Sequence, residues 1–221
     1  MNNYLFIAPH PDDEVLGCGG YIAKMAKEHA VYILVATRGA KKLYDDKQVQ
    51  NVRSEALRAH SVLGIKETFF FNFEAPFLDK YTIAEISVKI SELIKKLSIT
   101  HLFIPHRGDI HNDHEIINKA SLVAARPVGR YSVKEIFTYE TVSETEWALP
   151  NSNEIFMPDV FCNITDTFDS KIKAMKCYES QLREFPNPRS VENLEALAKY
   201  RGATVGFERA EAFELIRLVK D

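Results

Sequence analysis

The chain opens on a short unbroken apolar run, YLFIA at residues 4–8. It then turns polar and glycine-containing before apolar positions recur at helical spacing in YIAKMAKEHA, residues 21–30. An apolar run of this length suits a strand covered on both faces, and a 3.6-residue period suits a helix with one buried stripe. The pattern predicts strand, glycine-containing loop, helix. It then repeats: VYILVAT (31–37) reads as a second buried strand, RGAKKLYDDK as a polar loop, and Val49 to Leu63 as a helix that Gly64 ends as a C-cap. TFFFNF (68–73), IAEISVKISELIKKL (83–97) and HLFIP (101–105) continue with a third strand, an amphipathic helix and a fourth strand that Pro105 stops. Phe69, Phe70 and Phe71 are expected in the core.

Strands separated by helices imply a mainly parallel, Rossmann-like α/β sheet flanked by helices on both faces. Beyond the fourth strand, the pattern predicts a helix from Glu115 to Ala125, short strands in EIFTYE (135–140) and FMPDVFCNI (156–164), and a helix in TFDSKIKAMKCYESQL (167–182). A loop, REFPNPRS (183–190), leads to a helix in VENLEALAKYRG (191–202) that Gly202 is expected to cap, and AEAFELIRLV (210–219) fits strand or helix. No repeat, low-complexity tract or linker interrupts the pattern. Residues 1–221 therefore read as a single domain whose second half extends one sheet.

Composition narrows the function. With 221 residues, 46% of them hydrophobic, the chain can bury a full core without disulfides. A net charge of −3, with basic blocks no longer than pairs such as Lys41-Lys42, argues against a nucleic-acid partner. Cys18, Cys162 and Cys177 lack metal or redox spacing and read as reduced thiols. Neither a signal peptide nor a membrane-length apolar segment is visible, so a cytoplasmic location is expected.

The polar clusters carry the chemistry. In an open parallel sheet, sites form outside the carboxyl ends of the strands, where HPDDE follows the first strand and HRGDIHNDH the fourth. His10, an aspartate of the Asp12–Asp13 pair and His114 would supply two imidazole nitrogens and one carboxylate oxygen, the donor set of a catalytic zinc site with an open position. Iron(II) or manganese suits the same donors. The remaining aspartate is placed to take a proton from water that the metal activates. His111 is expected as a protonated group stabilising an oxyanion and donating to a leaving amine, with Asp113 holding it oriented. Capping of the first helix competes for these carboxylates and explains Glu14 equally well. GCGG at 17–20 is not a dinucleotide fingerprint, and the carboxylates before it would repel pyrophosphate. His29, His60, His101 and His106 are expected at the surface or at strand ends, His106 close enough to line the pocket.

PHPDDE (9–14) paired with DIHNDH (109–114) resembles the signature of the PIG-L or LmbE-like deacetylases, metal-dependent hydrolases that remove N-acetyl groups from N-acetylglucosamine-containing compounds. RSEALRAHSVLGI (53–65) and YRGATVGFERAEAF (200–213) extend the likeness to nearly the whole chain. The resemblance implies His10, Asp13 and His114 as metal ligands, Asp12 as general base and His111 as electrostatic catalyst and acid. It implies Arg53 on sugar hydroxyls or a phosphate. Asp109 and Ile110 stand where some members carry a mobile tyrosine, so Tyr200 becomes the candidate phenol, with Arg201 beside it as a second substrate contact. A small-molecule amino-sugar substrate and a homo-oligomer are also implied. A same-family amidase cleaving a larger acyl group and a non-catalytic, metal-containing sugar-binding protein are the competing readings. Specificity is expected in the loops at 38–47, 141–152 and 183–190.

Overall fold

The computed structural model describes residues 2–128, 133–149 and 154–220. Part of one loop expected to govern specificity, residues 150–152, lies outside them. Strands β1 (Asn3–Ala8), β2 (Ala30–Gly39), β3 (Glu67–Ala75), β4 (His101–Pro105) and β5 (Glu135–Tyr139) pair in parallel, as expected. Strands β6 (Val160–Asn163) and β7 (Ala210–Leu218) complete one sheet in the order β3-β2-β1-β4-β5-β7-β6, with β7 antiparallel to both neighbours. The order reverses direction beside β1, which puts the ends of β1 and β4 next to each other at the switch point where ligands bind.

Alternation along β1 shows why its run is continuously apolar. Tyr4 and Phe6 face helices α1 (Asp13–Met25), α2 (Asp46–Leu63) and α5 (Phe168–Lys176), and Leu5 and Ile7 face α3 (Ile83–Leu97) and α4 (Asn112–Ala124). Both faces are dry, so neither parity can be polar. β3 is an edge strand and departs from expectation: Phe69, Phe70 and Phe71 are only half-buried, with the cations of Lys96, Arg53 and Lys89 over their rings.

Several boundaries differ from the pattern. α1 begins at Asp13, so Gly17, Gly19 and Gly20 lie inside it and not in a loop. Close packing explains them: a Cβ at Gly17 would meet Tyr139 Cδ2 at 2.4 Å, and one at Gly20 would meet Ile164 at 2.8 Å. α4 begins at Asn112, which turns part of the second motif into a first helical turn. Helix α6 (Val191–Ala203) passes through Gly202, whose missing side chain admits the Phe207 carbonyl and Arg209 backbone. The ambiguous tail is β7, and Glu211 is buried on it against Lys171 at 2.6 Å. Gly64 caps α2 at φ 76°, as expected.

Candidate metal centre and active site

The loop leaving β1 and the loop leaving β4 bring the two motifs together. Ligand atoms of His10, Asp13 and His114 all lie within 4.8 Å of one another. Asp13 Oδ2 is the hub, 3.4 Å from His10 Nδ1 and 3.4 Å from His114 Nε2, and it also accepts the His10 backbone N–H at 2.8 Å. Asp13 and His114 are fully buried, yet Asp13 Oδ1 and His114 Nε2 have no hydrogen-bond partner. Buried polar atoms in proteins are nearly always satisfied, and a cation ligated at this point would satisfy both. Two imidazole nitrogens and a carboxylate oxygen fit a divalent metal with an open coordination position.

The donor set attracts positive charge. Burial disfavours the His10 cation, but hydrogen bonds to Asp113 and Asp13 outweigh it and lift the group to about 9. His114 rises to about 10, the charge of Asp13 and the bond to Asp109 overcoming burial. Burial works against the Asp13 anion, yet the neighbouring His114 and His10 hold it well below the usual carboxylate range.

A second set of carboxylates orients the imidazoles. His10 Nε2 lies 3.0 Å from Asp113 Oδ2, and His114 Nδ1 lies 2.8 Å from Asp109 Oδ2, whose other oxygen accepts the Thr145 hydroxyl at 2.6 Å. Such carboxylate–histidine pairs fix tautomer and ring orientation in metal sites. Asp109 was not singled out as a site residue from its sequence position. Its spacing, five residues before His114, was the available signal.

Asp113 does not orient His111 as expected. Its carboxylate holds His10 and the Leu78 N–H, and only its backbone N–H reaches His111, at Nδ1 and 3.1 Å. His111 is the N-cap of α4, so its Nδ1 is an acceptor and its ring proton sits on Nε2. Burial and then the adjacent His10 lower it to about 4, which makes it a neutral donor and not the protonated acid expected. Its ring centroid lies 4.5 Å from that of His10 and 5.7 Å from that of His114, so it borders the metal ligands.

Asp12 is buried with Oδ1 unpartnered, and burial raises its carboxyl to about 8 against the pull of Arg189. Arg189 donates from Nη1 to Asp12 Oδ2 at 3.0 Å and from Nε to Ser143 Oγ at 2.8 Å. It comes from the 183–190 loop and escaped the sequence reading, because nothing in REFPNPRS separates it from a solvated loop charge. His60, expected at the surface or a strand end, is instead buried, 3.0 Å from the buried Glu14.

Other expected residues lie away from the metal ligands. Arg53 donates to the Phe71 carbonyl at 2.9 Å and Asn72 Oδ1 at 2.8 Å, fastening α2 to β3. Arg201 makes a two-pronged bond to Glu140 at 2.9 and 2.7 Å. With Tyr200 it lines a cavity of about 650 Å³ that none of His10, Asp13 and His114 touches. His106 is buried between Glu214 and the Glu154 carbonyl.

Comparison with known proteins places these residues in a wider set. Residues 5–125 match the family model described as PIG-L, GlcNAc-PI de-N-acetylase. The chain is 28% identical over 182 residues to "Uncharacterized deacetylase YaiS" of Escherichia coli, covering 80% of this chain and 90% of that protein. It is 27% identical over 191 residues to "Probable N-acetyl-alpha-D-glucosaminyl L-malate deacetylase 2" of Bacillus cereus, covering 80% and 82%. Among solved structures, the conserved protein TT1542 from Thermus thermophilus superposes with a TM-score of 0.81 at 26% identity, covering 100% of this chain and 97% of that one.

Proposed function

The chain belongs to the PIG-L family of de-N-acetylases, and we propose that it is a metal-dependent hydrolase that removes the acetyl group from an N-acetylglucosamine-type sugar or its conjugate, releasing acetate. The observation carrying this reading is the convergence of a His10–Asp13–His114 donor set, its Asp13 and His114 buried, with Asp12 and His111 on adjacent strand ends. The bound metal, which we take to be zinc, would act as a Lewis acid that acidifies water and polarises the acetyl carbonyl. The chemistry is that of one domain spanning residues 1–221.

Asp12 is the general base. Its buried carboxyl binds a proton far more readily than a solvent-exposed aspartate, which suits it to take one from the attacking water near neutral pH. Arg189 fixes the Asp12 carboxylate through Oδ2 and leaves Oδ1 free for that proton, which then passes to the sugar nitrogen as its bond to the acetyl carbon breaks. His111 presents Nε2–H to the oxyanion as a neutral donor, because its Nδ1 is already an acceptor for the Asp113 N–H. Asp113 and Asp109 hold the two ligand imidazoles.

The test is direct. Purified protein is expected to carry about one tightly bound divalent metal per chain, with elemental analysis deciding between zinc, iron and manganese. It is expected to release acetate from N-acetylglucosamine conjugates. Asp12→Ala should abolish release and retain the metal; full activity in that variant would remove Asp12 from the role of base.

A further inference from the structure

The turn that follows β5 brings a further carboxylate to the guanidinium that holds Asp12. β5 runs parallel to β4 with Tyr139 opposite Pro105, so the two strands end side by side. The turn is tied to the second motif at two successive residues. The Glu144 carbonyl accepts the Ile110 N–H at 3.1 Å, and the Thr145 hydroxyl donates to Asp109 at 2.6 Å. Its backbone is strained, because Ser143 holds a φ of 71° without being glycine. Ser143 is fixed in that conformation by Glu146, which accepts its N–H, and by Arg189, whose Nε donates to its Oγ at 2.8 Å. Strain of this kind gathers at active sites and ligand clamps.

Glu144 is the side chain that this turn turns inward, and it is only 9% exposed. Arg189 joins it to Asp12: Nη1 donates to Asp12 Oδ2 at 3.0 Å, while Nη2 stands 3.6 Å from Glu144 Oε1, too far for a hydrogen bond. Among the described residues neither Glu144 side-chain oxygen accepts a hydrogen bond. Its neighbours are engaged, Glu140 with Arg201 and Glu146 with the Ser143 N–H. Burial lifts the Glu144 carboxyl to about 7, and the charge that opposes burial most is that of His114, ahead of Arg189. The carboxylate therefore opens toward the metal ligands. A buried acceptor without a donor is costly, and a ligand hydroxyl would supply the donor.

We propose that Glu144, together with Arg189 Nη2, binds the C3 hydroxyl of the sugar, the ring hydroxyl next to the C2 acetamide. The choice of hydroxyl rests on the deacetylase reading. A hydroxyl both donates and accepts, so it fits between Glu144 Oε1 and Arg189 Nη2 across their 3.6 Å separation. With the acetyl carbonyl at the metal and the attacking water at Asp12, the ring substituents nearest the amide are those on C1 and C3. In a conjugate joined through C1, that oxygen has no hydrogen to give. An ionised carboxylate only accepts, and C3 keeps its O–H.

The test compares acetate release by the metal-loaded full chain from the methyl glycoside of N-acetylglucosamine and from its 3-deoxy analogue. The first should have a kcat/KM about 10–100-fold higher, the loss expected when a charge-assisted hydrogen bond is removed. In Glu144→Ala the ratio should fall to about one. Glu144→Gln keeps the size but accepts more weakly, and should reduce the ratio partway. Equal kcat/KM for the two glycosides in the unmodified chain overturns the proposal. So does an undiminished ratio in Glu144→Ala, or in Glu144→Gln should the alanine variant not fold, because Glu144 would then be no more than a charge partner of Arg189. If neither glycoside releases acetate, calorimetry with the same pair separates the two readings. Tighter binding of the 3-hydroxy glycoside that disappears in the variant keeps the subsite and removes the deacetylase assignment. Equal binding removes both.

Discussion

Glu14 accepts the backbone N–H of Asp12 at 3.2 Å, and Asp12 holds a φ of 108°, a left-handed conformation that residues with a side chain rarely adopt. The proposed general base thus sits on a strained backbone, and the next carboxylate but one secures it. Glu14 is itself anchored: its Oε1 accepts from the Tyr178 hydroxyl at 2.5 Å and lies 3.0 Å from His60 Nε2. Through His60, which meets Thr68 at 2.8 Å, the chain of contacts crosses α2 to reach β3. Backbone strain of this kind costs on the order of 1–3 kcal/mol and persists only where the surroundings hold it.

Replacing Glu14 tests that relationship. Glu14→Ala strands the Asp12 N–H, the Tyr178 hydroxyl and His60 in a buried site, and is expected to destabilise the fold by roughly 2–4 kcal/mol, read by denaturant unfolding. Glu14→Gln keeps the size and an acceptor oxygen. It should recover most of the stability while kcat falls by about tenfold or more with KM little changed, because a shifted Asp12 affects the reaction more than binding. Equal kcat in Glu14→Gln and the parent would restrict Glu14 to a packing role.

Arg189 is the second support of Asp12, and its loss has a definite sign. The guanidinium lowers the Asp12 pKa against the effect of burial, so its removal leaves the carboxyl protonated to higher pH. The acidic limb of kcat/KM for Arg189→Gln is expected to move upward in pH. Arg189→Lys, which keeps the charge without the bond geometry, should move it less. An acidic limb that does not move in either variant would mean that another group controls it.

The supports of Asp12 also mark where sequence reading stops. Apolar runs identified β1, β2 and β4 because buried parallel strands are hydrophobic on both faces, and spacing within HPDDE and HNDH drew attention to the ligand residues. Glycines misled: Gly17, Gly19 and Gly20 suggest a loop by propensity but are required by helix packing against Tyr139, Lys171 and Ile164. Arg189 is 177 positions from Asp12, and no local period records such a contact. His60 and Glu14 looked like ordinary helix polar groups until burial paired them. The role expected of Asp113 failed for a similar reason, since adjacency to His111 in sequence does not decide which imidazole a carboxylate faces.

Asp109 tests the outer support of the metal ligands. It connects His114 to Thr145, which comes from the loop after β5. Asp109→Ala removes the acceptor that fixes the His114 ring, and metal affinity is expected to fall about 10–100-fold, measured by competition with a chromophoric chelator. Thr145→Val, which leaves the Asp109–His114 contact in place, should fall by less. The reverse ranking would shift the anchoring role from the carboxylate to the loop.

Proton release gives the last test of the donor set, because its sign follows from the raised histidines. Without a cation, His10 and His114 titrate near 9 and 10 instead of 6.5. Their contribution to stability is therefore complete below about pH 6.5 and is lost as pH rises through 9 and 10. Asp12, raised from 3.8 to about 8, acts in the same direction, its contribution fading as pH climbs through that range. A bound metal requires both imidazoles neutral, so loading at pH 7 must displace about two protons from them, with part of a third from Asp12. Between pH 7 and 8, apparent affinity should then rise by about two orders of magnitude per pH unit, and calorimetry in buffers of different ionisation enthalpy should count the protons. The thermal stabilisation produced by metal should correspondingly widen from pH 6 to pH 9, as the metal-free protein weakens and the loaded one does not. A pH-independent affinity would mean that the metal binds without displacing these protons, and that His10 and His114 are not its ligands.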